Sequence, residues 1–255
     1  MNARRPVTSD FRRLDSMEVL IVKSYIFAFC SFILLASVGF AQSPAEKDLY
    51  EKLAEGPGQV KALETVLKAP DQFSALILYL GANVAFKENR LEDSAFLFYA
   101  GQLRARFDKE CFPPKGTGGD NPFLAYAALS QQVGSAINPA VMAEPKVFAE
   151  AIERVKKWNP KAPKGYEPGY EFTERKSEKD GDEAAKPGRI EFLNRLGDLS
   201  SLLSDAEYFA AFRVVQAYRL ASDDKQRPTK EENEKATEIM KRIEKDRGLN
   251  GFFSK

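Results

Sequence analysis

Residues 70–107 decide the fold and read PDQFSALILYLGANVAFKENRLEDSAFLFYAGQLRARF. The first part, 70–87, is apolar on nearly every side, as expected of a helix buried at the centre of a protein. After the polar turn at 87–90, residues 91–107 place apolar side chains at i, i+3 and i+4, the spacing of an amphipathic helix. This stretch therefore predicts a helical hairpin at the centre of the molecule.

The rest of the chain also has the pattern of helices joined by proline-marked turns. No alternation of β-branched residues extends over five or more positions, so strands are not expected. Residues 43–46 and 229–232 have the capping-box pattern of a helix start, and prolines at 139 and 145 predict a turn before a sixth helix. The fold class is thus predicted to be all-α, an irregular multi-helix bundle of eight or nine helices with a repeat-like central hairpin.

An irregular stretch, 159–187, divides the bundle into an N-terminal helical part, 42–158, and a C-terminal part, 188–255, of the same domain. Its first half carries three aromatic residues, and we expect this half to dock on the bundle near Trp158 by burying their rings. The second half is highly charged and contains nothing more apolar than alanine, so we expect it to be a mobile linker.

The N-terminus has the anatomy of a secretory signal peptide. Basic residues at 4, 5, 12, 13 and 23 precede an apolar core at 25–35, and the small residues Gly39 and Ala41 follow. The core is shorter than the ~20 residues that span a bilayer, so an uncleaved anchor is the less favoured alternative. We expect cleavage after Ala41, removal of residues 1–41, no stable membrane span afterwards, and a periplasmic or extracellular location. Translation could begin at Met1 or at Met17.

Composition excludes several kinds of function. The chain has 38 basic and 37 acidic residues, which gives no electrostatic footprint for nucleic acid. It contains no histidine, so Ser-His-Asp catalysis, Cys-His catalysis and histidine-ligated metals are excluded. Cleavage of the leader leaves Cys111 alone, and we expect it to be buried. No metal, cofactor or catalytic residue is predicted.

The candidate binding residues lie at the start of the irregular stretch: Trp158, Tyr166, Glu167, Tyr170 and Glu171. Aromatic side chains held by nearby prolines and glycines can form a preorganised contact surface. The alternative is that these aromatic rings pack against the bundle and cover its core.

Two classes of function remain open. The first is a non-enzymatic binding or scaffold protein of the cell envelope, whose partner is another envelope or secreted protein. The second is an exported hydrolase without histidine, in which Glu167 and Glu171 act as paired carboxylates on a glycan. The absence of histidine and of a catalytic motif favours the first class. Arg104 and Arg106 cannot share a helix face at a spacing of two, so no anion clamp is predicted there.

The hairpin within residues 76–105 resembles a single tetratricopeptide repeat. Tyr79, Phe86, Ala95 and Tyr99 stand at positions where such repeats carry large, aromatic, small and aromatic residues. The resemblance implies two antiparallel helices that pack closely around the small residue. No second copy follows at the usual spacing of 34 residues.

In such repeats a binding groove is lined by the inner face of the first helix. The matching residues here, at 77, 80, 84 and 87, are mostly apolar. We therefore expect other helices to cover them, and a peptide-carboxylate clamp at this face is not predicted.

Overall fold

The computed structural model describes residues 44–55, 57–116, 121–223 and 226–249. Nine α-helices form the described part of the chain, which contains no strand, so the predicted all-α bundle is confirmed. In chain order they are α1 Pro44–Ala54, α2 Gln59–Lys68, α3 Ala75–Lys87, α4 Leu91–Cys111, α5 Pro122–Met142, α6 Pro145–Lys157, α7 Glu178–Leu203, α8 Ala206–Leu220 and α9 Lys230–Asp246. The predicted leader, 1–41, lies outside the described residues.

The central hairpin consists of α3 and α4, which pair more extensively than any other two helices. A short 3₁₀ turn, Pro70–Gln72, precedes α3, so the regular helix begins later than the sequence predicts. Asn89 makes the turn with a left-handed φ of 57°, a conformation that asparagine tolerates. A Cβ atom added at Gly101 would lie 2.8 Å from the ring of Tyr79, so this glycine lets the two helices approach closely.

The apolar face of α3 is covered, as the sequence predicts. Ile77, Leu80 and Val84 are each at most 5% exposed. The helices α1, α2 and α5 pack against α3, while α5, α6 and α7 surround α4. The core of the protein therefore follows the hairpin.

The fifth helix is longer than predicted. Asn121 caps α5 by accepting a hydrogen bond from the amide of Phe123 at 2.9 Å. The helix then continues through Pro139 to Met142, where the sequence predicts a turn. Proline removes one hydrogen bond from the helix, and the burial of Ile137 and Val141 on either side offsets this loss.

The irregular stretch predicted at 159–187 is shorter in the structure than the sequence predicts. Its second half is not a mobile linker, because α7 begins at Glu178 and passes through Pro187. The side chain of Ser177 caps the helix by accepting from the Asp180 amide at 3.1 Å. A Cβ atom added at Gly181 would lie 1.9 Å from Sγ of Cys111, so this turn of α7 sits directly against α4. Backbone contact, rather than large apolar side chains, orders the segment.

Helices α8 and α9 pack mainly against each other, and α8 also contacts α7. Asp205 caps α8, and the predicted capping box at Thr229 and Glu232 is present at the start of α9. Inside the pair, the hydroxyl of Tyr208 donates to Glu244 Oε1 at 2.9 Å. Among the described residues, none of the helices combines the length and the apolar character that spanning a bilayer requires.

Candidate functional site

Two of the predicted binding residues belong to the core. Tyr166 and Tyr170 are 3% and 5% exposed. The Tyr166 hydroxyl donates to Asp108 Oδ2 at 2.6 Å, and the Tyr170 hydroxyl donates to the backbone oxygen of Phe112 at 2.9 Å. The first half of the irregular stretch is therefore docked on the bundle, as predicted, and its tyrosine rings offer no surface to a partner.

The predicted carboxylates lie on the outer side of the same loop. Glu167 and Glu171 are exposed, and Glu171 forms an ion pair with Lys115 at 3.2 Å. Trp158 is half-buried and packs edge-on against Phe96, with 6.4 Å between ring centroids. The structure thus separates the acidic groups from the aromatic rings instead of combining them in one site.

A buried charged cluster lies beneath this loop. Arg104 and Asp108, one turn apart on α4, are both 0% exposed. The guanidinium of Arg104 donates to the backbone oxygens of Lys161 at 2.6 Å and Asp71 at 3.0 Å. It also lies 4.7 Å from the centre of the Tyr166 ring. These contacts hold the loop against α4.

The cluster contains more carboxyl groups than arginines, and this excess affects the protonation of the carboxyl groups. Burial raises the pKa of Asp108 to about 7, although the charge of Arg104 and the hydrogen bond from Tyr166 oppose the shift. Burial also raises the pKa of Glu46, which accepts a hydrogen bond from the Ser74 amide at 2.8 Å. We interpret these groups as a structural clasp that joins α1, α4 and the loop.

An open cleft of about 390 Å³ lies between α4 and α7 on a different part of the bundle. Its volume is within the range of about 300–1,000 Å³ that is usual for ligand sites. The apolar part of its wall comes from α7, which presents Phe192, Leu196 and Leu199. The polar part comes from both helices, with Gln102 and Arg106 from α4 and Glu191 and Arg195 from α7. We call this concavity the α4–α7 cleft.

Arg106 has an unusual environment in the α4–α7 cleft. Its guanidinium lies 4.3 Å from the centre of the Phe192 ring and donates to the backbone oxygen of Gln102 at 2.9 Å. Among the described residues, no carboxylate lies within ion-pair distance of it. Burial of part of the side chain lowers the pKa of Arg106, and the positive charge of Arg195 lowers it further, while Tyr79 and Glu191 act in the opposite direction.

The sequence did not reveal this cleft, because its two arginines are far apart in the chain. Arg104, the arginine nearest to Arg106 in the sequence, lies on the buried side of α4. Arg195 comes to the same cleft as Arg106 through the packing of α7 on α4. The periodicity of 190–203 predicts a helix but does not say which other helix it packs against.

A second exposed feature is the outer face of α5. No charged residue occurs between Asn121 and Ala143, although the chain as a whole is 29% charged. Leu124 is 59% exposed on this face, and Ala127, Ala128 and Gln131 are exposed beside it. This surface therefore carries no charged group that would orient a ligand.

Among the described residues, no group of three or more cysteine, aspartate or glutamate side chains could hold a metal ion. No protein-family model matches this chain, and no curated protein and no solved structure matches it either. The geometry and chemistry of the α4–α7 cleft are therefore the basis for a functional proposal.

Proposed function

We propose that this chain is an exported, non-enzymatic protein of the cell envelope that binds another envelope or secreted protein through the α4–α7 cleft. The observation that carries the proposal is the cleft itself, an open concavity with an apolar wall and a polar rim. A few placed polar groups beside apolar surface are typical of a site that binds.

The side chains of the cleft support binding rather than catalysis. Its ionisable lining residues are Arg106, Glu191 and Arg195. A single carboxylate cannot serve as both acid and base of a glycosidase, which needs two. The lining also contains no serine, threonine, cysteine or lysine that could act as a nucleophile.

Export is supported by the leader, which combines basic residues, an apolar core at 25–35 and small residues before Gln42. In this proposal the protein matures by cleavage after Ala41. Its partner is then another protein of the periplasm or the extracellular space.

The alternative function, glycan hydrolysis by Glu167 and Glu171, is not favoured by any contact of these residues. A sugar-binding site would use the neighbouring aromatic rings as stacking surfaces. The rings of Tyr166 and Tyr170 are buried, and Glu171 is paired with Lys115.

Site-specific photo-crosslinking in the cells that make the protein tests this proposal. A photoreactive amino acid is placed at Glu191, on the rim of the cleft, and in a control chain at Glu238, an exposed position on α9. We expect a discrete adduct with an exported protein from position 191 and none from position 238. Absence of an adduct at 191, or equal adducts at both positions, would contradict the proposal.

A further inference from the structure

We infer that the α4–α7 cleft recognises a carboxylate side chain carried on an apolar segment of the partner protein, with Arg106 as its receptor. This inference rests on the proposed function and specifies the chemistry of the ligand.

The charged side chains that line the cleft are Arg106, Arg195 and Glu191, so the lining carries one excess positive charge. This excess charge attracts a carboxylate. Arg106 can act as the receptor, because its guanidinium lies 4.3 Å from the centre of the Phe192 ring and stacking orients the planar group.

Arg106 also retains hydrogen-bonding capacity for a ligand. A guanidinium has five N–H donors in a planar fork. Within the described residues, Arg106 uses one of its nitrogens, Nη1, in a hydrogen bond to the backbone oxygen of Gln102. The fork matches the two oxygens of a carboxylate, and such charge-assisted hydrogen bonds are stronger than neutral ones.

The apolar lining determines what carries the carboxylate. Phe192 is half-buried and lines the cleft together with Leu196 and Leu199, which are 7% and 5% exposed. A fully hydrated anion such as sulfate would gain nothing from this apolar lining. A glutamate or aspartate flanked by leucine-like residues would bind to Arg106 and contact the apolar lining at the same time.

Removal of Glu191 should change ligand binding in the direction opposite to removal of Arg106. It lies on the same rim and acts favourably on Arg106, so it competes with an incoming carboxylate. Its removal as Glu191→Gln should strengthen binding of an acidic ligand by about two- to fivefold, because one repulsive charge is lost. A purely structural role of these charged residues would not produce this gain.

The experiment is an NMR titration of the folded chain from Gln42 onward with a blocked tetrapeptide that has one glutamate among leucines. The matched probes are the same peptide with glutamine and inorganic sulfate. The variants are Arg106→Gln, Arg106→Lys and Glu191→Gln, and Lys109→Gln is the control because it removes one exposed charge from the same helix outside the cleft. Thermal melting verifies that each variant is folded.

We expect the glutamate peptide to cause saturable shifts of the NMR signals of amides around the cleft. Binding should be at least about tenfold weaker with the glutamine peptide or with the Arg106→Gln variant. The reason is that hydrogen bonds to charged groups contribute roughly 1.5–3 kcal/mol. Lys109→Gln should bind like wild type, and Arg106→Lys should bind weakly because lysine lacks the fork.

Equal binding of both peptides in the cleft would overturn the carboxylate inference and leave the binding function standing. Binding of sulfate alone would also overturn it. If no peptide binds while position 191 still crosslinks a partner, the ligand chemistry is wrong and the function is retained.

Discussion

Asp108 shows, at the scale of a single residue, how burial changes chemistry. It is 0% exposed and accepts a hydrogen bond from Tyr166 at 2.6 Å. The groups that face it are Arg104 from α4, Tyr166 from the loop and Glu46 from α1. Cys111, Tyr126 and Tyr170 are also close enough for its charge to affect their pKa values. Its protonation therefore depends on every element of the clasp.

The raised pKa of Asp108 predicts that the protein loses stability as the pH rises. The folded protein keeps the Asp108 proton up to a pH of about 7, whereas an unfolded chain releases it near its ordinary pKa of 3.8. The contribution of this proton to the free energy of unfolding is present in full below about pH 4 and is lost as the pH rises through 7. The absence of histidine leaves few other groups that titrate in this range.

Urea unfolding at pH 5.5 and pH 8.0 measures this effect. The urea concentration at the unfolding midpoint of the wild type should be lower at pH 8.0 than at pH 5.5. The midpoint of Asp108→Asn should change less between the two pH values, because an amide does not titrate. The amide oxygen can still accept the hydrogen bond from Tyr166. An equal fall in both proteins would show that Asp108 is not the group responsible.

Residue patterns predicted the core well but could not predict the site. Burial of the residues at 77, 80 and 84 followed from the apolar character of 70–87 on nearly every side of the helix, which is a local property of the sequence. The hydrogen bond from Tyr166 to Asp108, and the presence of Arg106 and Arg195 in one cleft, bring together residues that are far apart in the chain. Local spacing contains no information about such contacts.

At the scale of elements, the errors lie at helix ends that contain proline. Pro139 lies inside α5, which was expected to end before it, and Pro187 lies inside α7, which was expected to begin after it. A proline removes a hydrogen bond but does not forbid a helix whose flanking turns are held by packing. For α7, the decisive contact is the approach of Gly181 to α4.

Gly181→Ala should destabilise the protein, because the added methyl group would lie 1.9 Å from Sγ of Cys111 and 3.2 Å from its Cα atom. Overpacking of this kind costs roughly 1–3 kcal/mol of unfolding free energy. The matched control is Gly188→Ala on the same helix, where no atom lies within 4 Å of an added Cβ. This control should be neutral or stabilising by up to about 1 kcal/mol, because alanine favours the helix more than glycine does.

Chemical denaturation of the two variants measures both effects. The double variant Cys111→Ala with Gly181→Ala should recover part of the lost stability, because it removes the sulfur atom at the contact. Similar stability of Gly181→Ala and Gly188→Ala would mean that α7 does not approach α4 at this point.

At the scale of the whole molecule, the proposal combines a leader for export with a helical bundle that carries the α4–α7 cleft. If the leader directs export, the N-terminus of the protein outside the cytoplasm should be Gln42. Mass spectrometry of the exported fraction measures this directly, and a start at either Met1 or Met17 gives the same mature chain. Recovery of an intact N-terminus from membranes would contradict cleavage after Ala41.

The most direct test of the account is amide hydrogen exchange of the mature protein, measured with and without the partner captured at position 191. We predict that slowing of exchange on binding is concentrated at the α4–α7 cleft, in segments 102–106 and 188–199. The same measurement on the Arg106→Gln variant should show much less protection at equal partner concentration. Protection centred instead on the uncharged face of α5 or on α8 and α9, with the cleft unchanged, would contradict the claim that the cleft is the binding site.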